Sequence, residues 1–107
     1  MFRLGIKQAI HRASVYYYIL KAKRTLRTHG VGLRVNNRCW LSQNIYVGRY
    51  CNFNGLYVNG GGKITIGNYF HSGIECMMIT QNHNYEGTAI PYDNTNVKKE
   101  INIGDCV

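Results

Sequence analysis

Acidic residues are scarce in this chain of 107 residues: five Asp and Glu stand against thirteen Lys and Arg, and none precedes Glu75. The first thirty residues alone carry Arg3, Lys7, Arg12, Lys21, Lys23, Arg24 and Arg27, so the formal charge of +8 belongs mostly to an N-terminal arm. Such an arm points to an anionic partner (phospholipid headgroups, a nucleic acid or a phosphorylated carrier) or serves as a solubilising face. Proline is nearly absent, with Pro91 alone, whereas Gly and Asn each occur twelve times. This balance fits many short extended segments joined by tight corners and disfavours a helical bundle. Charged residues at 17% and hydrophobic residues at 45% exclude a disordered polyampholyte. The length allows one domain, or one domain and an arm.

The four cysteines, Cys39, Cys51, Cys76 and Cys106, form no Cys-x-x-Cys and no zinc-finger spacing. They read as reduced, mostly buried small residues of a cytosolic chain. A secretory signal is not expected, because Lys7, His11 and Arg12 interrupt any apolar core. The longest apolar run, Val15 to Leu20, is far too short to cross a bilayer.

Within residues 1–30, Phe2, Ile6, Ala9, Ile10, Ala13, Tyr17 and Leu20 recur at steps of three and four, which predicts an amphipathic helix ended near Gly30. Its apolar stripe has two possible partners: the body of the protein or a neighbouring subunit, and the interface of a membrane.

From Val31 the period changes to six. Val31-Gly32-x-x-Val35, Leu41-Ser42-x-x-Ile45, Val47-Gly48-x-x-Cys51, Phe53-Asn54-x-x-Tyr57, Ile66-Gly67-x-x-Phe70, Ser72-Gly73-x-x-Cys76 and Ile103-Gly104-x-x-Val107 share one layout. The physical account is a solenoid of triangular coils, each flat side using one hexapeptide. The leading residue points to a narrow axis, and the small residue after it occupies a corner where a Cβ would crowd the backbone. Asn at the turns, including Asn36, Asn37, Asn44, Asn59, Asn68 and Asn102, is expected to take left-handed dihedrals. An ordinary small β-sandwich with glycine-rich turns is the competing architecture.

These hexapeptides, with Ile64-Thr65-Ile66-Gly67, Gln81-Asn82-His83-Asn84-Tyr85 and Ile103-Gly104-Asp105-Cys106-Val107, resemble the hexapeptide-repeat acyltransferases, and within them the O-acetyltransferases of the galactoside and capsular polysaccharide type. The resemblance covers residues 31–107. It implies an all-β left-handed parallel β-helix over 31–107 with a protruding loop at about 80–100, preceded by the helical arm 1–30. It implies acetyl-CoA as acyl donor, a sugar or polysaccharide-precursor hydroxyl as acceptor, no metal, and a homotrimer with sites between subunits. The expected location is the cytoplasm, with residues 1–30 offering peripheral contact at the inner face of the membrane; nucleic acid is not expected. Relatives continue past the Ile-Gly-Asp-x-Val segment with Trp-Ile-Gly and further coils, so the chain corresponds to the half that holds the catalytic His and the acceptor side, with little activity expected from these residues alone.

The repeat stops for about twenty residues after Met78, and a long insertion in a compact domain is usually functional. It holds His83 between two Asn, then Tyr85, Glu86 and Pro91. Acyl transfer to a hydroxyl needs a base working near neutral pH, and histidine suits it. By resemblance His83 is that base. Its orienting acceptor is open among Glu86, Glu75 and a backbone carbonyl. The segment Cys51-Asn52-Phe53-Asn54 resembles one whose Asn contacts the acceptor sugar, which makes Asn52 and Asn54 candidates for substrate binding, with turn residues as the plain alternative. Tyr85 is a candidate for stacking on a sugar ring, and Glu86 for a polar contact to it.

Overall fold

The computed structural model describes residues 2–83 and 96–107, and the side chains of 5–81 and 98–107. One helix, α1 (Phe2–Thr25), precedes short strands: β1 (Arg34–Val35), β2 (Cys39–Trp40), β3 (Ile45–Val47), β4 (Asn52–Phe53), β5 (Leu56–Asn59), β6 (Ile64–Ile66), β7 (His71–Ser72), β8 (Met77–Ile79), β9 (Gln81–His83), β10 (Asn96–Lys98) and β11 (Ile101–Ile103). Nine of these strands form three parallel sheets of three, ordered β1-β4-β7, β2-β5-β8 and β11-β6-β3. The chain therefore visits the three sheets in rotation, adding one strand to each on every circuit. Strands of two to four residues cannot hold alone, and each circuit satisfies its backbone groups by pairing with the next.

The register shows how sixes become sheets. Val47, Ile66 and Ile103 are direct parallel partners, and so are Phe53 and Ser72, and Val58 and Met78. Val47, Ile66, Phe53, Val58, Met78 and Ser72 are buried, and Ile103 packs partly against the same cluster. The six-residue phase slips once. After Phe53 the inward residues of β5 are Leu56 and Val58, not Tyr57, and eight positions separate Val58 from the equivalent Ile66. The extra residues lie in Asn59-Gly60-Gly61-Gly62-Lys63.

At one corner, glycine is required by space. A Cβ on Gly48 would stand 2.7 Å from the carbonyl carbon and oxygen of Gly67, and one on Gly67 would stand 2.8 Å from those of Gly104. Next to this column the Arg49 N–H donates to Asn68 Oδ1 (2.8 Å) and the Asn68 N–H to Asp105 Oδ1 (2.7 Å), so each circuit caps a donor of the one before. The left-handed positions do not fall on Asn as expected. They are Tyr50, Tyr69, Glu75 and Cys106, together with Gly32, Gly55 and Gly60. Asn36, Asn44, Asn52, Asn54 and Asn68 serve instead as side-chain hydrogen-bonding groups between circuits.

The helix also differs from its sequence reading. It ends at Thr25, well before Gly30, because the Arg27 N–H donates to Ile45 O (2.9 Å) and Val47 N–H to Thr28 O (3.1 Å), drawing the chain into the edge of β3. The stripe Ile6, Ile10, Ala13, Tyr17 and Leu20 is exposed. The opposite face docks: Ala22 and Leu26 are buried in the core, with Tyr18 and Ile19 packed against it. Two apolar stripes thus run on opposed sides of one helix, one covered by the body and one open. No helix among the described residues is long and apolar enough to cross a membrane.

Candidate functional site

The rotation of strands is interrupted once, between β8 and β11, where Ile64 and Ile101 are register partners although 37 residues apart, twice the usual step. The interruption leaves as an antiparallel pair: Gln81 faces Lys98, Asn82 faces Val97 and His83 faces Asn96. His83 therefore begins its excursion on a strand of a two-stranded ribbon. Its backbone position is fixed by pairing; its side chain lies outside the described residues, as do Tyr85 and Glu86 entirely.

The foot of the ribbon is anchored by Thr80, which is buried. Its N–H donates to Asn59 O (2.9 Å), its carbonyl accepts from the Lys99 N–H (2.7 Å), and its hydroxyl oxygen accepts from the Gly62 N–H (3.0 Å). Gly60 has φ +102°, and a Cβ on Gly62 would meet Thr80 Cβ at 2.7 Å and the Lys99 carbonyl. The glycine run is the seat on which the ribbon rests. Sequence reading missed both Thr80 and this seat. The signal was present as the eight-residue gap in an otherwise six-residue phase.

Asn52 and Asn54 flank Phe53 at the end of β4, and one partner holds both: Asn36 Nδ2 donates to Asn52 Oδ1 (2.8 Å) and to Asn54 Oδ1 (2.9 Å). Asn54 Nδ2 in turn donates to Ser72 O (3.0 Å). Both ends of the Asn54 amide are thus engaged within the fold. Asn52 has only its oxygen engaged among the described residues, and it borders a shallow cleft of about 420 Å³ with Arg34, Tyr50, Tyr69 and His71. Asn52 pairs in register with His71, on a different sheet from the strand that leads into His83.

Glu75 sits at φ +63° in the turn between β7 and β8, a different corner of the circuit from the ribbon that carries His83. All four cysteines are free; Cys51 is buried, Cys39 and Cys76 are half-buried, and Cys106, against expectation, is exposed. Burial pushes the Cys39 and Cys51 thiols above the ordinary thiol range, opposed in part by nearby backbone N–H groups. The Cys51 S–H donates to Gly67 O (3.2 Å). These are inert structural thiols rather than nucleophiles. No group of three His, Cys, Asp or Glu among the described residues is placed to hold a metal ion.

Set against protein-family models, curated proteins and solved structures, the chain matches none of them.

Proposed function

We propose that the three-sheet body is a left-handed parallel β-helix of the hexapeptide-repeat acyltransferase kind, and that the protein carrying these residues transfers an acetyl group from acetyl-CoA to a sugar or polysaccharide-precursor hydroxyl. The observation that carries the reading is the single break in the rotation of strands, which falls where the sequence places His83. In the proposed reaction a ring nitrogen of His83 takes the acceptor hydroxyl proton as that oxygen attacks the thioester carbonyl. The tetrahedral intermediate then collapses: the C–S bond breaks, the new C–O ester bond remains, and the thiolate of coenzyme A leaves with the proton returned by the imidazolium. Asn52 is the better placed of the two asparagines to meet an acceptor hydroxyl, since its amide N–H groups have no partner among the described residues. The active assembly in this reading is a homotrimer that supplies the donor groove from neighbouring subunits.

The test is acetyl transfer from labelled acetyl-CoA to a panel of sugars by the protein that carries these residues. His83→Ala should lower turnover by about 10²- to 10⁴-fold with the fold retained. Turnover within a fewfold of the parent overturns the assignment.

A second reading, a non-catalytic module carried to an anionic membrane, is favoured by one observation. The open stripe of α1, with Ile6, Ile10, Tyr17 and Leu20, runs beside Lys7, Lys21 and Arg24 with no carboxylate on the helix. That arrangement suits an interfacial helix among acidic headgroups. The two readings are compatible in one protein, and they separate if vesicle binding is found without any acetyl transfer.

A further inference from the structure

The docked half of α1 packs on β1, and between it and the β2-β5 edge of the β2-β5-β8 sheet lies a cleft of about 530 Å³. That volume is in the range of small-molecule sites. Its buried floor is aliphatic, from Ala22, Val35 and Val58, and its open wall is aromatic. Trp40 and Tyr57 are register partners on adjacent strands, their ring centroids 5.9 Å apart at 54°, and Met77 follows Tyr57 in the same outward row. Trp40 is 55% and Tyr57 42% exposed, so about half of this row's surface is open to solvent. The cations are placed at its rim: the Arg38 guanidinium carbon lies 5.9 Å from the Trp40 ring centroid, and Lys21 enters from the helix. No carboxylate among the described residues lines the cleft.

We infer that this cleft between α1 and the β2-β5-β8 sheet binds an anionic sugar unit, carboxylated or phosphorylated. The ring's C–H face lies on Trp40 and Tyr57, and its charge meets Arg38 and Lys21. Half-exposed aromatic surface suits a ring that is apolar on its faces and polar at its edge. Two cations with no carboxylate partner among the described residues select an anion, and the arginine offers the planar fork that carboxylate and phosphate oxygens match. The same sheet leads through β8 and Thr80 into the ribbon of His83, so a chain of sugars held on this row runs toward the proposed base. That last role, as a subsite for an acidic acceptor glycan, rests on the transferase reading; the binding itself does not.

Trp40 is the only tryptophan of the chain, so its fluorescence reports on the cleft alone. Titration with a glucuronate-containing oligosaccharide and with glucose 1-phosphate should give saturable quenching with at least one of them, and the tighter of the two names the charge carried. Arg38→Gln and Tyr57→Ala should each weaken it at least tenfold, with circular dichroism unchanged in the former. An equal response to an uncharged glucose oligomer or to inorganic phosphate alone overturns the proposal, as does no saturable change. A fluorescence change that tracks protein concentration without sugar marks a contact between copies and overturns it too. Quenching that persists in a protein with no acetyl transfer to any acceptor sinks the transferase reading and leaves the cleft standing; transfer without quenching does the reverse.

Discussion

Gly67 lies directly against Gly48 on the neighbouring circuit, so closely that a Cβ on Gly48 would stand 2.7 Å from the Gly67 carbonyl oxygen. Asn68 Oδ1 at 2.5 Å could turn aside, but the Gly67 backbone cannot. Gly48→Ala should therefore cost about 1–3 kcal/mol, in the range of overpacked interiors. Gly73→Ala, at a position where an added Cβ meets nothing within 4 Å, should change stability by less than about 1 kcal/mol. Urea midpoints of the two variants check the contrast, and equal losses would contradict it.

The asparagine cluster separates structure from recognition. Asn54→Ala removes an acceptor for Asn36 and a donor to Ser72 O, and should lower stability by about 1–2 kcal/mol. Asn52→Ala loses one of these bonds only. In the proposed transferase it should raise KM for the acceptor more than it lowers the thermal midpoint. Steady-state kinetics beside calorimetry would show the difference.

Thr80→Val keeps the volume of a buried side chain but strips the acceptor from the Gly62 N–H. An unpaired buried donor costs about 1–3 kcal/mol. The loss should appear first as faster hydrogen exchange at Gly62 and Lys99, before the sheets themselves exchange.

Thiol reactivity should follow exposure. Cys106 should react with a disulfide reagent first and Cys51 last, since burial holds its thiol in the neutral form. The sign for stability follows from the same cause. Folding raises the proton affinity of Cys51 and Cys39, so their contribution is complete below the ordinary thiol pKa of about 8.5 and declines as pH rises through and above it. Replacing both by Ala or Ser should flatten the alkaline limb of a stability curve.

On α1, the two stripes should respond to different assays. Leu26→Ala, in the core, should cost about 2–5 kcal/mol. Ile10→Ser, on the open stripe, should leave stability nearly unchanged and weaken binding to phosphatidylglycerol vesicles severalfold, with high salt acting in the same direction.

What could be read in advance was the column structure. Val47, Ile66 and Ile103 share a six-residue context, and six residues per side places each over the next with the following glycine at the corner. Chemistry at that level depends only on side-chain size and period. The slip at Val58 was hidden because Phe53-Asn54-x-x-Tyr57 satisfies the pattern by letters, while the fold turns Tyr57 outward and Val58 inward. The docking face of α1 could not be chosen for a related reason: two opposed apolar stripes each obey the helical period, and only the body's surface selects between them. Asn36 bridging Asn52 and Asn54 depends on neighbours sixteen and eighteen positions away, which no local pattern encodes.

The opposed stripes of α1 have a geometric result. Because Ala22, and Leu26 just past the helix end, hold one side of α1 in the core, the helix does not roll freely about its own axis. Whatever flat surface meets Ile10 and Tyr17 therefore meets the whole protein at one tilt, and the height of the His83 ribbon above that plane is a constant of the fold rather than of a flexible tether.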